Sequence, residues 1–286
     1  MTDKKNMLSD WLIASDIDGT LNNKLRRLPK RNYDAIQKYV YEYGGNFILS
    51  SGRSPESMRN HFKKLNLNSG YAVFINGAGV YDYSKDEIVW LSPVNERLVK
   101  ILSDAAKKFK GASVQVITPK AAYLCKPEIG AWLLATSSRL PKKVVKSFDD
   151  IPKGDWCKVV FTGFPWIVKK VYEYVAKESG DTNNLMMSSP FSFETVNEGT
   201  NKGVAVLKVA SILGLDPQKT AAIGDYFNDY EMLKSVGVPA CCGQAPDEMK
   251  KIAKLVTCHC NHGAVADLVE YIIANHDNLT KEDLHG

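Results

Sequence analysis

The amino-acid sequence predicts an α/β fold in which a core built on a parallel sheet is interrupted by an inserted α+β domain. Short apolar segments alternate with helical patterns near both ends of the chain, as in βαβ units. Between them, closely spaced strand-like segments replace that alternation. The length of 286 residues exceeds what one hydrophobic core usually serves. We therefore expect the core over residues 1–83 and 190–286 and the inserted domain over 84–189.

The N-terminal part of the chain predicts alternating strands and helices. The first strand is the apolar run 11–14. Pro29 opens the helix after it, and Gly44-Gly45 ends that helix. The predicted apolar stripe of this helix is Tyr33, Ile36, Val40 and Tyr43. The segments that follow are a strand at 46–50, a helix that begins at Ser54-Pro55-Glu56 and a strand at 71–75.

The middle of the chain departs from this alternation. Residues 80–83 and 87–91 predict a hairpin. The elements after it are helices at 93–110 and 166–178 and strands at 114–118, 122–126, 157–162 and 191–196. Residues 127–155 have no clear pattern. The parallel alternation then returns with a helix at 201–213, a strand at 220–223 and a turn at 224–229.

The composition argues against several classes of protein. With 44% hydrophobic and 24% charged residues, it is that of an ordinary globular protein. The net charge of +5 favours an anionic substrate mildly, but no Lys/Arg block indicates nucleic-acid binding. No apolar run reaches the length of a membrane span, and residues 1–10 contain no signal-peptide core. The six cysteines lack the spacing of a disulfide framework. We therefore expect reduced thiols and a cytoplasmic protein.

Asp16 and Asp18 are the first candidates for chemistry. They follow the predicted first strand, and residues two apart on a strand point to the same side. Gly19 permits a tight turn after them. Two carboxylates held that close repel each other unless a proton or a cation lies between them. One could attack phosphorus, the other could transfer a proton, and a divalent ion could bind both; a solvated acidic turn is the alternative.

Three further segments place polar groups near predicted helix starts. Ser51-Gly52 could cradle a phosphate with a hydroxyl and backbone N–H groups, or could form a serine-rich turn. Lys202 lies where a cation opposes the helix dipole unless an anion is near, and a solvated lysine is the alternative. Asp225 and Asp229 either bring oxygen ligands to a metal held by Asp16 or are ordinary turn and helix-start acids.

The segment Cys258-His259-Cys260-Asn261-His262 contains residue types that bind metals. Its Cys and His residues lack the spacing of structural zinc sites, and no second Cys pair at finger spacing accompanies them. We therefore expect ordinary loop and helix-cap residues here, with a zinc site as the alternative.

Four segments in this order resemble the haloacid dehalogenase-like superfamily of phosphohydrolases. They are Asp16-Ile17-Asp18-Gly19-Thr20, Ser51-Gly52-Arg53, Asn201-Lys202-Gly203, and Gly224-Asp225 with Asn228-Asp229. The insertion between the second and third segments is similar to that of the Cof-type subfamily, and Asn76-Gly77 and Val256-Thr257 add to the match. The resemblance covers about residues 11–274 and implies a Rossmann-like core with an inserted α+β cap domain.

The resemblance also implies roles for the matching residues. Asp16 would be the nucleophile that forms an aspartyl-phosphate, Asp18 the general acid and base, and Ser51 and Lys202 the groups that hold the phosphoryl group. The residues implied to bind substrate are Ser51, Gly52, Arg53, Asn76, Lys202 and Asn228. Those implied to bind Mg²⁺ are Asp16, Asp18 through its carbonyl, Asp225 and, in support, Asp229. A metal and a lysine facing a carboxylate are the parts that phosphoryl transfer needs.

Two departures from the family pattern lie outside these segments. Cys241-Cys242-Gly243-Gln244-Ala245 stands where the family usually has a small-residue run ending in Gly-Asn-Ala. His262 stands near where an acidic residue often precedes the glycine. They bear on the shape of the site rather than on its chemistry.

The predicted function is a Mg²⁺-dependent phosphatase of a small phosphorylated metabolite, with a sugar phosphate favoured. A phosphotransferase or phosphomutase acting on a hexose phosphate is the alternative. A binding protein without turnover is a different class, and the presence of both Asp16 and Asp18 argues against it. We expect no nucleic-acid or membrane partner and a monomer or weak homodimer. The inserted domain is expected to select the substrate, with candidates Tyr123, Trp132, Arg139 and Trp156.

Overall fold

The computed structural model describes residues 6–67, 70–127, 139–180, 182 and 184–279. The chain forms two compact units. The first, here called the core, consists of Met1–Gly52, Arg59–Val89 and Asn201–Gly286. The second, here called the cap, consists of Arg53–Met58 and Trp90–Thr200.

The described strands and helices are numbered in chain order. The strands are β1 (Leu12–Ser15), β2 (Asn46–Ser50), β3 (Tyr71–Phe74), β4 (Gly79–Asp82), β5 (Glu87–Leu91), β6 (Ser113–Ile117), β7 (Ala122–Cys125), β8 (Lys142–Val145), β9 (Lys158–Thr162), β10 (Leu185–Ser189), β11 (Ser192–Thr195), β12 (Thr220–Gly224), β13 (Val238–Cys241) and β14 (Leu255–Val256). The helices are α1 (Lys30–Tyr41), α2 (Pro55–Leu65), α3 (Glu96–Lys108), α4 (Pro165–Ser179), α5 (Lys202–Ile212), α6 (Tyr230–Ser235), α7 (Asp247–Ile252) and α8 (Ala264–Asn275).

The core sheet has the strand order β14-β13-β12-β1-β2-β3-β4-β5 in the described part of the chain. The strands from β14 to β3 are parallel, and β4 is antiparallel to β3. Every residue of β1 and β12 is buried, as expected for central parallel strands with helices on both faces. Because parallel neighbours end at the same edge, the loops after β12, β1 and β2 lie side by side.

Three of the four residues predicted for the apolar stripe of helix α1, namely Ile36, Val40 and Tyr43, are buried. The buried face of α1 also includes residues outside that stripe. Its buried residues are Asn32, Ile36, Tyr39 and Val40, whereas Tyr33 is 36% exposed. The Asn32 side chain belongs to this face, since it donates to the Leu21 carbonyl at 2.9 Å and accepts from the Ala266 N–H at 2.9 Å. A polar residue therefore fixes the orientation of α1, which the apolar spacing alone does not indicate.

The cap contains a second sheet with the order β10-β11-β9-β6-β7-β8 among its described strands. Its strands are antiparallel except that β7 and β8 are parallel. Helices α3 and α4 cover the sheet, and Leu102, Val168 and Phe161 lie in the apolar core beneath them. The predicted fold class, a parallel-sheet α/β core with an inserted α+β unit, is confirmed.

Three of the four cap candidates for substrate selection lie in the part of the chain that the structure describes. Trp156 is buried, packs edge-to-face on Phe148, and donates from its indole N–H to the Pro152 carbonyl at 2.5 Å. These are the contacts of a core residue. Tyr123 is half-buried and Arg139 is exposed, while Trp132 lies outside the described residues.

No helix in the part of the chain that the structure describes combines the length and the apolar character that a bilayer crossing requires.

Candidate active site

Three loops at one edge of the core sheet bring the predicted site residues together. Ser15 of β1 lies opposite Ile223 of β12 and Leu49 of β2. Asp16 therefore follows the end of β1 where Asp225 and Ser51 follow the ends of its two neighbours. The Asp16 N–H donates to the Ile223 carbonyl at 3.0 Å, which extends the hydrogen-bond ladder between β1 and β12 to Asp16 itself. This is the edge at which open α/β sheets bind ligands.

The turn after Asp16 is tight and depends on Gly19. Gly19 has a φ of +86°, and a Cβ there would lie 2.3 Å from Oδ2 of Asp225. The Leu21 N–H donates back to the Asp16 carbonyl at 3.2 Å. As a result the Asp16 carboxylate is buried, while Asp18 is exposed at the surface of the turn. The two carboxylates therefore differ in their surroundings although they are two residues apart.

Lys202 supplies the buried cation of the site. Its Nζ donates to Oδ1 of Asp16 at 2.6 Å and to Oδ1 of Asp229 at 2.6 Å, and its side chain is 0% exposed. The alternative of a solvated lysine is therefore excluded. Asn201 caps α5 by accepting from the Val204 N–H at 3.0 Å, which fixes the helix start that carries Lys202.

Gly77 allows the start of α5 to approach the loop after β3. Its φ is +99°, and a Cβ there would lie 2.1 Å from the Asn201 carbonyl oxygen and 2.8 Å from the Lys202 nitrogen. A residue with a side chain would displace the backbone at Lys202. The Asn76-Gly77 pair singled out in the sequence therefore has a structural role in placing the lysine.

The charges of the buried groups affect one another's pKa values. Burial raises the pKa of Asp16 to about 6, against the lowering effect of Lys202, and Asp229 raises it further. Burial alone would lower the pKa of Lys202, but the attraction of Asp16 and Asp229 outweighs it and keeps that pKa above its ordinary value. Lys202 therefore remains charged and stabilises the ionised form of Asp16.

Asp225 is the third carboxylate of the site. Burial raises its pKa to about 6, and the charge of Asp16 adds to that rise. The Gln244 amide, the charge of Lys202 and the Thr20 hydroxyl act in the opposite direction and lower that pKa. The Thr20 hydroxyl donates to Oδ1 of Asp225 at 3.4 Å, so one oxygen of Asp225 has a neutral donor.

The acidic groups fit a divalent cation. Carboxylate oxygens of Asp16, Asp225 and Asp229 lie within 4.8 Å of one another, and the Lys202 ammonium contacts only two of the three carboxylates. A hard divalent ion takes such oxygen ligands and would balance the remaining negative charge. In the described part of the chain, no other group of three or more His, Cys, Asp or Glu side chains is this close.

Asp229 makes contacts that hold the site together. Its Oδ1 accepts from Lys202, and its Oδ2 accepts from the backbone N–H of Asp225 at 3.1 Å and of Tyr226 at 3.4 Å. A Cβ on Gly224 would lie 2.3 Å from the Asp229 carboxyl carbon, so the strand end must be a glycine. Both oxygens of Asp229 are therefore engaged in folding the loop that presents Asp225.

The predicted substrate-binding residues of the core surround the turn after β2. Ser51 is buried, with its N–H donating to the Val73 carbonyl at 3.0 Å and its carbonyl accepting from the Asn76 N–H at 3.0 Å. A Cβ on Gly52 would lie 2.9 Å from Oδ1 of Asn76, which also accepts from the Asn228 amide at 3.4 Å. Arg53 is half-buried and is the first residue of the cap segment Arg53–Met58.

Two residues that contact the site were not predicted as parts of it. Thr20 was identified only as the end of the first segment, and Gln244 only as a departure from the family pattern. Gln244 donates to the Gly19 carbonyl at 2.6 Å and accepts from the Cys260 N–H at 3.0 Å. The departure at Gln244 was the one available signal, since its partners are distant in the chain.

The cysteine- and histidine-containing segment makes ordinary loop contacts. The Cys258 N–H donates to Asp267 at 2.7 Å, and the His259 ring accepts from the Asn261 N–H at 3.0 Å as the cap of a short turn. Cys260 is buried. These contacts match the loop and cap residues expected from the sequence.

Comparisons with known proteins agree with this geometry. The haloacid dehalogenase-like hydrolase family matches residues 13–269. A provisional phosphatase of Streptococcus pyogenes serotype M6 is 26% identical over 279 residues, which are 94% of this chain and 100% of that protein. The 5-amino-6-(5-phospho-D-ribitylamino)uracil phosphatase YcsE of Bacillus subtilis is 26% identical over 249 residues, with 86% of this chain and 89% of that protein covered.

A solved structure with the same architecture adds to these similarities in sequence. It is that of the HAD subclass IIB sugar phosphatase BT4131, to which this chain is similar with a TM-score of 0.72 and 19% identity. The similarity covers 92% of this chain and 98% of that one. At this level of identity the likeness concerns the fold.

Proposed function

The chain belongs to the haloacid dehalogenase-like hydrolases and is an enzyme of the phosphatase type, and we propose that it is a Mg²⁺-dependent phosphatase of small phosphorylated metabolites. The main support is the buried contact between Lys202 and Asp16, which places a permanent cation 2.6 Å from one oxygen of a carboxylate. Such a pair is costly as plain structure and is suited to binding and attacking a phosphoryl group.

The proposed reaction has two steps that use Asp16 and Asp18. In the first, an Asp16 oxygen forms a bond to phosphorus, the bond from phosphorus to the leaving-group oxygen breaks, and Asp18 gives that oxygen a proton. In the second, Asp18 takes a proton from a water whose oxygen forms a bond to phosphorus, the bond between phosphorus and the Asp16 oxygen breaks, and inorganic phosphate leaves. The exposure of Asp18 is consistent with proton exchange with solvent.

The remaining core residues bind and orient the phosphoryl group. Lys202 and the Ser51 turn are proposed to bind its oxygens, with Gly52, Asn76 and Asn228 beside them, and Arg53 stays a predicted contact. Asp16, the Asp18 carbonyl and Asp225 would hold Mg²⁺, and Asp229 would fix the loop that presents Asp225. The bound ion would supply neutralisation of the negative charge that develops on the transferring phosphoryl group.

A sugar phosphate or a related polyhydroxylated phosphate ester is the proposed substrate class. The solved structure with the same architecture is a sugar phosphatase, and the name of YcsE specifies a phosphorylated ribityl compound. The net charge also supports an anionic substrate: residues 90–200 contain 16 Lys and Arg against 11 Asp and Glu, whereas the rest of the chain has 21 of each.

A cytoplasmic location and a monomer or weak homodimer remain predictions.

The test is a screen of phosphorylated metabolites with the purified chain and Mg²⁺. We expect free phosphate from at least one sugar phosphate, no release with Asp16→Asn protein, and no release after addition of a chelator. An isomerised sugar without free phosphate would indicate the phosphomutase alternative. If no phosphate ester in the screen reacts while the protein is folded, the proposed function is contradicted.

A further inference from the structure

Gln244 connects three segments at the rim of the acidic site. Its side-chain amide donates to the Gly19 carbonyl at 2.6 Å, and its side-chain oxygen accepts from the Cys260 N–H at 3.0 Å. The same amide lies near enough to the Asp225 carboxylate to lower the pKa of that group. One amide group thus bonds the turn after Asp16 and the loop before α8, and it faces a carboxylate proposed to bind the metal.

The backbone around Gln244 is fixed on both sides. The Cys242 N–H donates to the Gly224 carbonyl at 3.1 Å, at the end of β12. The Gly243 N–H donates to the Cys258 carbonyl at 3.2 Å, and the Ala245 N–H donates to the Cys242 carbonyl at 2.8 Å. Because its own backbone is anchored to β12 and to the segment at Cys258, the side chain can hold other groups in place.

A link between the Gly19 turn and Asp225 opposes the repulsion between the carboxylates of Asp16 and Asp225. A Cβ on Gly19 would lie 2.3 Å from Oδ2 of Asp225, so the two segments are in close contact. Asp16, three residues before Gly19, carries a charge that opposes ionisation of Asp225. An amide can donate to the Gly19 carbonyl and to the carboxylate at once without adding charge. A lysine would form the same link but would compete with a metal cation.

We infer that Gln244 is a positioning residue that holds Asp225 against the Gly19 turn and thereby sets the affinity of the acidic site for a divalent cation. The inference rests on the proposed metal site. It also gives a role to the departure from the family's usual Gly-Asn-Ala, since glutamine is one methylene longer than asparagine and reaches further from the backbone.

The test is calorimetric titration of Mg²⁺ into the full-length chain, compared between wild type and variants. We expect Gln244→Leu to weaken Mg²⁺ binding by about tenfold or more, as is typical when a group that orients a metal ligand is removed. Gln244→Asn, which keeps the amide but shortens its reach, should weaken binding less. If the leucine variant does not fold, the Mg²⁺ affinity of Gln244→Asn decides the question.

The matched control is Gln37→Leu. The Gln37 amide donates to the Leu65 carbonyl at 2.6 Å, which is the same kind of bond away from the acidic site. This variant should lower the thermal unfolding temperature without changing Mg²⁺ affinity. Unchanged affinity in both Gln244 variants overturns the inference. Wild-type protein that neither binds Mg²⁺ nor hydrolyses any phosphate ester would instead contradict the proposed function.

Discussion

Asp16 has one oxygen bound to Lys202, so replacing its carboxylate by an amide changes both charge and nucleophilicity at the centre of the site. We expect Asp16→Asn to lower turnover by about a thousandfold or more, because an amide is a poor nucleophile and a poor metal ligand. The fold should persist, since Lys202 keeps Asp229 as its partner. Phosphate release and thermal unfolding of the same preparation check both statements.

Asp10→Asn is the control for this substitution. Asp10 is an exposed carboxylate of the core that forms an ion pair with Lys219. The same chemical change at that position should leave turnover within about twofold of wild type, because exposed ion pairs contribute little. Residual phosphatase activity in purified Asp16→Asn protein comparable to that of Asp10→Asn would remove Asp16 from its proposed role.

The raised pKa values of Asp16 and Asp225 predict how the stability of the metal-free protein depends on pH. Both are about 6 in the folded chain, above the value of about 4 for an unperturbed aspartate. Between about pH 4 and about pH 6 the folded state therefore binds more protons than the unfolded state. The stability that comes from binding these protons is lost as pH rises from about 4 through about 6. We expect metal-free protein in a chelator to lose free energy of unfolding between pH 5 and pH 7.

Added Mg²⁺ should oppose that loss, because the ion binds the deprotonated carboxylates. Urea unfolding at pH 5, 6 and 7, with and without Mg²⁺, measures both effects. Asp225→Asn removes one of the two titrating groups and should flatten the pH dependence of the metal-free protein. A metal-free stability that rises from pH 5 to pH 7 in wild type and variant alike would contradict this account.

At the scale of elements, the approach of α5 to the loop after β3 depends on Gly77. With a φ of +99° and no room for a Cβ beside Asn201 and Lys202, Gly77→Ala must either strain the loop or move the helix start. We expect a loss of about 3 kcal/mol in free energy of unfolding, together with reduced turnover as Lys202 shifts from Asp16. Urea unfolding and phosphate release measure the two losses.

Gly214→Ala separates backbone strain from steric displacement. Gly214 follows α5 with a φ of +69°, but a Cβ there meets nothing within 4 Å. The Gly214→Ala substitution should lower the free energy of unfolding by only about 1 kcal/mol, because alanine must adopt the left-handed conformation. It should leave turnover unchanged. Equal effects of the two substitutions would show that contact with the start of α5 is not what requires Gly77.

Elements with a strong local pattern were predictable, and those defined by distant partners were not. The apolar run of β2 and the Ser54-Pro55 start of α2 were predicted at their observed positions. Strand β10 was missed because Met186 and Met187 are exposed on it, so it lacks an alternating pattern. Strand β8 has the sequence KKVV, with three exposed residues and one half-buried, and its place in the sheet comes from pairing with β7.

The same distinction applies to the site across the whole molecule. The contact between Lys202 and Asp16 joins two segments that the sequence singles out, each at a strand or helix end. The contacts of Asn32 with Ala266 and of Gln244 with Gly19 connect parts of the chain more than two hundred residues apart. No local spacing indicates such pairs, so only the folded chain shows them.

The division of charge between the two units leads to a prediction about substrate choice. The contacts at the core site engage carboxylates, a lysine and backbone groups, which suit a phosphoryl group and a cation but not one particular sugar. Residues 90–200 carry the excess of positive charge. We expect exchange of Trp90–Thr200 for the corresponding unit of a relative with a known substrate to change the ratio of kcat/KM between two sugar phosphates by about tenfold or more, a size that a few polar contacts can produce.

Hydrolysis of p-nitrophenyl phosphate provides the internal reference for that exchange. Its leaving group is small and departs readily, so its rate should depend mainly on Asp16, Lys202 and the cation and should change much less. Point substitutions can then be tried at Tyr123 and Arg139, which are at least partly exposed, with the buried Trp156 avoided as a core residue. If the chimera hydrolyses p-nitrophenyl phosphate normally and keeps the original preference between the sugar phosphates, the selecting residues lie in the core.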